Sequence, residues 1–459
     1  MTTTEAPKRQ LWELQSMQAA PLSVKIALTK DRIREWVNQY GEDGVYVSFS
    51  GGKDSTVLLT IAREMYPDIK AVFVDTGLEY PEIRDFVRTW ENVEWLKPKL
   101  TFKAVIEKYG YPFISKEVSE RVYYAQRYLT WLKQQETLDR PTDRPTDRPT
   151  DRPTDRPCPS AFGMTVLLNL RVDKDLKKWN KITETIPYDL LKQAVDNGER
   201  GAYKLREMLG ISNRNDSKPT IFNYSKYLWA VGSPFMISNK CCDVMKKSPV
   251  HTYTTKTGRH PMLATMATES KLRTTDWIRN GCNGFNMKRP RSTPMSFWTE
   301  QDVLLYIYQN KIPIASVYGE VIKEKEVDGQ LDFEDLGIFD LGLPMLKTTG
   351  CKRTGCMFCG FGCQNESPGE GRFERMKLTH PKQYAYLFGD GKWIFEIRNA
   401  NGSKINVKRV PYSTMLKWAE QNKDNPNFVI SKRYVPDKGL GYKEVIDWLN
   451  EHGNLDIRY

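Results

Sequence analysis

The chain has 459 residues, 39% hydrophobic and 27% charged, with a formal net charge of +12. It is long enough for a large core and two or three domains; no apolar run is long enough to cross a bilayer, and the N-terminal MTTTEAPKRQ has no apolar signal core, so a cytoplasmic protein is expected. The charge is concentrated: residues 240–300 carry 11 Lys/Arg against 4 Asp/Glu, and residues 340–459 carry 19 against 13. Such patches suit an anionic partner, whether nucleotide, tRNA or DNA, and equally a merely soluble basic surface. Of the eight cysteines, four fall between Cys351 and Cys363, a clustering that favours metal over disulfides inside a cell.

Residues 11–40 read as helical. They lead into GVYVSFSGGKDS, Gly44 to Ser55, where Val45, Val47 and Phe49 alternate with smaller or more polar residues as in a buried strand. The strand runs into Ser50-Gly51-Gly52-Lys53-Asp54-Ser55, after which TVLLTIAREMY has helical spacing. Strand, glycine turn and helix together build an anion site: glycines let backbone approach a phosphate, and the helix N-terminus adds partial positive charge. Ser48, Ser50 and Ser55 can donate hydroxyl hydrogen bonds and Lys53 a full charge. The Walker A spacing is absent. SGGKDS instead resembles the PP-loop of the ATP-pyrophosphatase superfamily, whose members hold ATP and cleave it between the α and β phosphates.

A second short strand is expected over Ile69–Val74, with Asp75-Thr76-Gly77 at its C-terminal end, where open α/β sheets place ligands. VDTGLEYPE resembles a segment of the phosphoadenosine-phosphosulfate reductase family, which implies that the Asp75–Gly77 backbone lies near an adenine. A helix over Pro81–Asn92, a third strand near Val93–Leu96 and a helix from Lys116 to about Gln135 follow; in the family, the Phe113–Lys116 region also lies near the nucleotide. Residues 139–157 repeat DRPT. Proline every fourth residue excludes helix and central strand, and five Asp cancel five Arg, so a solvated, disordered insertion is expected. Residues 158–235 read as a helical insertion without assignable chemistry.

Cys241 and Cys242 then precede a short helix. A buried strand is expected over Met262–Met266, and a helix after it, capped by Thr268-Glu269-Ser270. Glu269 and Arg273, at i, i+4, share a helix face as an ion pair; resemblance to the reductase family implies instead a place beside the nucleotide or anionic substrate. MSFWTEQDVLLYIYQN reads as a structural amphipathic helix capped by Thr299 or Ser296. The cysteine hub Gly350–Cys363 has the spacing C-x4-C-x2-C-x3-C, and its Cys356-x2-Cys359 chelate occurs in zinc and iron–sulfur sites. All four hub cysteines, Cys351, Cys356, Cys359 and Cys363, make one possible ligand set. CCDVMKKSP followed by a distant GC-x2-C is similar to the [4Fe–4S] adenylylsulfate reductases, and that resemblance implies Cys241, Cys242, Cys356 and Cys359, with zinc the alternative metal.

The fold expected from the resemblance is α/β: a Rossmann-like PP-loop parallel sheet with helices on both faces, similar to the adenine nucleotide alpha-hydrolases, plus a smaller C-terminal cysteine-cluster region. The expected divisions are a helical segment 1–40, a nucleotide-binding domain 41–300 and a C-terminal domain 301–459. The function implied is ATP and Mg2+ binding, with Lys53 and Asp54 at the reacting phosphates, activation of an acceptor by adenylation with pyrophosphate release, and sulfur delivery aided by the iron–sulfur cluster. The acceptor would be nucleic acid or a small molecule, and the sulfur would come from a donor protein; oligomeric state stays open. Alternatives are an adenylylsulfate or phosphoadenylylsulfate reductase and a non-catalytic nucleotide- or nucleic-acid-binding module. Sulfonucleotide reductases attack sulfur with a cysteine near the C-terminus, whereas no cysteine here follows Cys363. Cys158 and Cys282 are substitutes that the sequence does not single out from small buried hydrophobes.

Overall fold

The structure, a computed structural model, describes residues 9–137, 187–198, 202–211, 222–323, 345–389, 393–398, 404–410, 420–421, 424 and 439–459. The DRPT tract at 139–157 and Cys158 lie outside the described residues. Two compact units form, each from two stretches: Met1–Thr101 with Asp243–Met357, and Phe102–Cys242 with Phe358–Tyr459. The boundary expected at 300/301 therefore falls inside the first unit, and the stretch 41–300 contributes to both.

The first unit is built on a six-stranded sheet. Its strands are β1 (Val45–Ser48), β2 (Ala71–Val74), β3 (Val93–Leu96), β4 (His260–Met262), β5 (Asn283–Gly284) and β6 (Arg291–Ser292), in the spatial order β3-β2-β1-β4-β6-β5. Every pairing is parallel except β5 with β6. β1 leads on to β2 on one side and the neighbouring β4 leads on to β5 and β6 on the other, so the switch point of the sheet, where an open α/β sheet presents its ligand crevice, lies between β1 and β4. The alternation read in β1 is real. Val45, Val47 and Phe49 face the large core with Trp36, Val57, Leu58 and Trp298, each such side chain contributing about 1.5–3 kcal/mol on burial. Tyr46 points to the opposite face against Tyr253, its ring edge-on at 5.3 Å. Both faces are covered, as a parallel sheet requires.

Helices Leu22–Tyr40 and Lys53–Met65 pack on β1 and on each other. Buried polar groups on the first are satisfied: Lys25 Nζ lies 2.7 Å from Asp302, and Thr29 Oγ1 accepts from Trp298 Nε1 at 2.9 Å. Thr299 caps helix Glu300–Asn310 through the Asp302 N–H. Two boundaries differ from expectation. The helix starting at Pro81 ends at Arg88. The strand expected at Met262–Met266 lies at His260–Met262 because pairing with β1 sets its register, Val45 opposite His260 and Val47 opposite Met262. A hairpin of β7 (Val321–Lys323) and β8 (Leu346–Thr348) completes this unit.

The second unit is mainly helical, around Lys116–Thr137, Pro187–Asp196, Ala202–Leu209 and Tyr442–Gly453. Strand Phe113–Ile114 pairs in parallel with Gly360–Phe361 of the cysteine hub. The approach is close enough that a Cβ on Gly360 would lie 2.4 Å from the Phe113 ring, so only glycine fits. Gln126, buried, uses both ends of its amide: Nε2 donates to Ser233 Oγ and Phe235 O, and Oε1 accepts from the Ile237 N–H at 3.0 Å. That side chain ties the helix Lys116–Thr137 to the segment 233–237. Among the described residues no helix is long and apolar enough to cross a membrane.

Candidate functional site

The glycine turn after β1 folds as a closed hydrogen-bonded loop. Ser50 N–H donates to Ser55 Oγ at 3.1 Å, and Ser55 Oγ donates to Gly52 O at 2.9 Å. The Ser50 and Ser55 hydroxyls lie 3.0 Å apart, and Gly52 N–H donates to Ser50 Oγ. Gly51 has φ +70°, and a Cβ there would lie 2.7 Å from Val87. Ser55 is therefore a brace of the turn rather than a free donor. Helix Lys53–Met65 opens at this turn, so the first-turn N–H groups of Asp54 and Ser55 lack intrahelical acceptors and carry the positive end of the helix dipole. Ser48 ends β1 beneath them, half-buried.

Lys53 is 4% exposed. Its Nζ lies 3.0 Å from Glu300 Oε1 and 3.6 Å from Asp54 Oδ1, and donates to Lys352 O at 3.3 Å. Burial pulls its pKa down, but Asp54 and Glu300 outweigh that and leave it raised, so the ammonium stays charged. Asp54 is the reverse case. Burial pushes its carboxyl up, Glu300 adds to that, and Lys53 and Arg353 only partly oppose it. Asp54 Oδ1 is buried with no hydrogen-bond partner among the described residues. A buried carboxylate oxygen beside a phosphate-type loop, with no hydrogen bond and only the 3.6 Å ion pair to Lys53, suits a hard cation held jointly by one or two carboxylates and phosphate oxygens, the way Mg2+ is usually bound. The Lys53 N–H donates to the Tyr318 hydroxyl at 3.2 Å, which lies 2.5 Å from Thr354 Oγ1.

At the end of β2, Asp75 pairs with Arg84 at 2.9 Å, and the Thr76 N–H and hydroxyl both donate to Glu79. Gly77 follows with φ +72° and nothing within 4 Å of its Cβ position, leaving backbone at this strand end open. Ser270 caps helix Lys271–Asn280, and Arg273 pairs with Glu269 on one helix face. Arg273 is also near enough to Asp54 and Arg353 for their charges to act on it, although burial is the larger influence and lowers its pKa. The first unit thus brings together the glycine turn, Lys53, Asp54, Glu300, Tyr318, Arg273 and residues 352–354.

The cysteines divide between the units: Cys282, Cys351 and Cys356 belong to the first, and Cys241, Cys242, Cys359 and Cys363 to the second. Within the second, burial pushes the Cys359 thiol up, and Cys242 is near enough to add to that. The fully buried Tyr442, its hydroxyl donating to Phe358 O at 2.6 Å, feels Cys359, Cys241 and Cys363. Arg372 donates to Cys359 O at 2.7 Å and is held by Glu366. Thiols are the soft donors that zinc and iron–sulfur groups take. The described residues hold no group of three or more ligating side chains already arranged around a metal position. Cys282 is buried, its thiol pushed up by burial, which suits the packing role and not a nucleophile.

The profile of the phosphoadenosine phosphosulfate reductase domain family matches residues 44–136 and 196–360. That is more than half of the 459 residues. The chain belongs to this family. The match takes in the PP-loop, Asp75–Gly77, Cys241, Cys242, Glu269, Arg273, Cys351, Cys356 and Cys359, and stops short of Cys363. An uncharacterized protein of Methanocaldococcus jannaschii is 40% identical over 73 residues, 15% of this chain and 18% of that protein. Adenosine 5'-phosphosulfate reductases of Staphylococcus haemolyticus and Staphylococcus epidermidis are 34% and 31% identical over 84 residues, 17% of this chain and 35% of theirs. The chain therefore aligns with about a third or less of the length of these relatives. The mostly parallel sheet flanked by helices is the Rossmann-like architecture of the phosphoadenosine phosphosulfate reductase family. Spacing in the sequence gave no sign of Glu300 or Tyr318: each is one polar residue in a stretch that reads as structural, brought to the PP-loop by the path of the chain after β6.

Proposed function

We propose that this family member binds ATP at the PP-loop, activates an acceptor by adenylation with release of pyrophosphate, and serves sulfur transfer. The observation that carries the reading is the closed Ser50–Ser55 turn at the sheet's switch point, with the charged Lys53 and the buried Asp54 carboxylate, one oxygen of which makes no hydrogen bond, beside it. An acceptor oxygen attacks the α phosphorus, the bond to the β phosphate's bridging oxygen breaks, and pyrophosphate leaves with the electron pair. First-turn N–H groups and Lys53 stabilise the charge that develops on it. Asp54 would help hold a Mg2+ ion, which would offset phosphate charge, and the open Asp75–Gly77 backbone and Arg273 would hold the nucleotide. Cys241, Cys242, Cys356 and Cys359 would hold a [4Fe–4S] cluster; it would supply structural cohesion or a sulfur relay, and zinc is the rival metal. The basic residues around Lys288, Arg289 and Arg291 suit tRNA or DNA as acceptor, with a small molecule and a sulfur-donor protein as further partners.

A second reading, reduction of adenylylsulfate, draws on the staphylococcal relatives' names. Here the same loop would grip the sulfonucleotide's anion. The loop itself is tested by titrating ATP into wild type, Gly52→Val and Ser55→Ala. A Cβ on Gly52 would lie 3.2 Å from both Ser50 Oγ and Tyr318 Oη, so valine fills the cradle. Ser55→Ala removes the brace. Each change should weaken ATP binding about tenfold or more, ~1.4 kcal/mol, Gly52→Val by filling the cradle and Ser55→Ala by loosening the turn that aims the N–H groups. Unchanged affinity in both folded variants would refute the assignment.

A further inference from the structure

Residues 352–354 of the cysteine hub lie on the PP-loop. Lys352 O accepts from Lys53 Nζ at 3.3 Å, and Thr354 Oγ1 sits 3.5 Å from where a Gly52 Cβ would be. The segment is pinned by backbone to the turn Ser316–Tyr318: Gly350 N–H donates to Tyr318 O at 2.8 Å and Cys351 N–H to Val317 O at 2.9 Å. The hydroxyl of Tyr318, a residue 2% exposed, then joins the Lys53 N–H to Thr354. Arg353 stands between two residues that touch the loop. It is exposed, makes no ion pair among the described residues, and is near enough to Asp54 and to Arg273 for charges to interact. Arg273 has Glu269 and Lys53 has Glu300. Arg353 has no such ion pair; its charge is attracted by Asp54 and repelled by Arg273. An oxyanion on the loop removes that repulsion and gives the guanidinium a fork-shaped acceptor.

We infer that Arg353 is an anion-binding residue of the PP-loop site, delivered by the cysteine hub, which contacts the phosphate or sulfate groups of the bound nucleotide. The inference rests on the nucleotide reading above and deepens it: recognition of the anion is shared between the glycine turn and a segment some three hundred residues later. The Tyr318–Thr354 hydroxyl pair holds that segment at the right height over the turn.

The experiment measures binding of ATP, inorganic pyrophosphate and adenosine to wild type, Arg353→Ala, Arg353→Lys and Gly52→Val, at low and high salt. Arg353→Ala should weaken ATP and pyrophosphate about tenfold, flatten their salt dependence and leave adenosine unchanged, since adenosine carries no charge. Arg353→Lys should restore part of the loss, because it keeps the charge without the fork. ATP affinity and salt dependence unchanged in Arg353→Ala while Gly52→Val loses ATP would overturn the inference and leave the nucleotide reading standing. ATP binding untouched in Gly52→Val would overturn both.

Discussion

Asp54 shows how the site stores unfavourable electrostatics. Its carboxyl is raised above the usual 3.8, mainly by burial, so the folded state holds the proton more tightly than the unfolded chain. Between 3.8 and the raised folded value, the unfolded chain ionises first and stability falls as pH rises; above that window the penalty is constant. Asp54→Asn should therefore raise the Tm at pH 7, and its advantage should close as pH falls below 3.8. Thermal melts across that range check this; an Asn variant less stable than wild type at pH 7 would mean that attraction to Lys53 outweighs burial. Lys53 and Asp54 were legible because six consecutive residues announce the turn. Glu300, Tyr318 and Arg353 were not, because the Lys53–Tyr318 contact joins residues 265 apart and no local period encodes it.

At the scale of elements, β1, its turn and its helix form from local signals: two-fold alternation, a glycine at φ +70° and an apolar helix face. β4 was displaced by four residues at its C-terminal end because the partner strand, not its own apolar run, decides where it pairs. The cysteine hub is the element where local and distant signals compete. If the cluster uses the reductase-like set, Cys241→Ala, Cys242→Ala, Cys356→Ala and Cys359→Ala should each lose iron and the brown chromophore in anaerobically purified protein, with Cys351→Ala and Cys363→Ala milder. A purely local set predicts Cys351 and Cys363 essential and Cys241 and Cys242 dispensable. Stoichiometric zinc without iron in wild type would exclude both. Metal loss should also lower stability, because binding free energy at such sites is folding free energy.

Across the whole molecule, the α/β class and the parallel sheet were implied by the resemblance that SGGKDS carries in its strand–turn–helix setting. The division into units was not, since each unit is assembled from two stretches and the sequence marks none of the three crossings with a linker. The one linker-like tract, residues 139–157, is expected to be dispensable: a chain joining Leu138 to Cys158 should keep its Tm and its ATP affinity, as long surface insertions cost little. The central claim is that this family member cleaves ATP for an acceptor, and it is tested most directly by one incubation series: anaerobically purified protein with α-labelled ATP, alone and with cellular tRNA, DNA or adenylylsulfate. The account predicts AMP or adenylated acceptor together with pyrophosphate, dependent on acceptor and lost in Gly52→Val; sulfite from adenylylsulfate with no cleavage of ATP under any condition would contradict it.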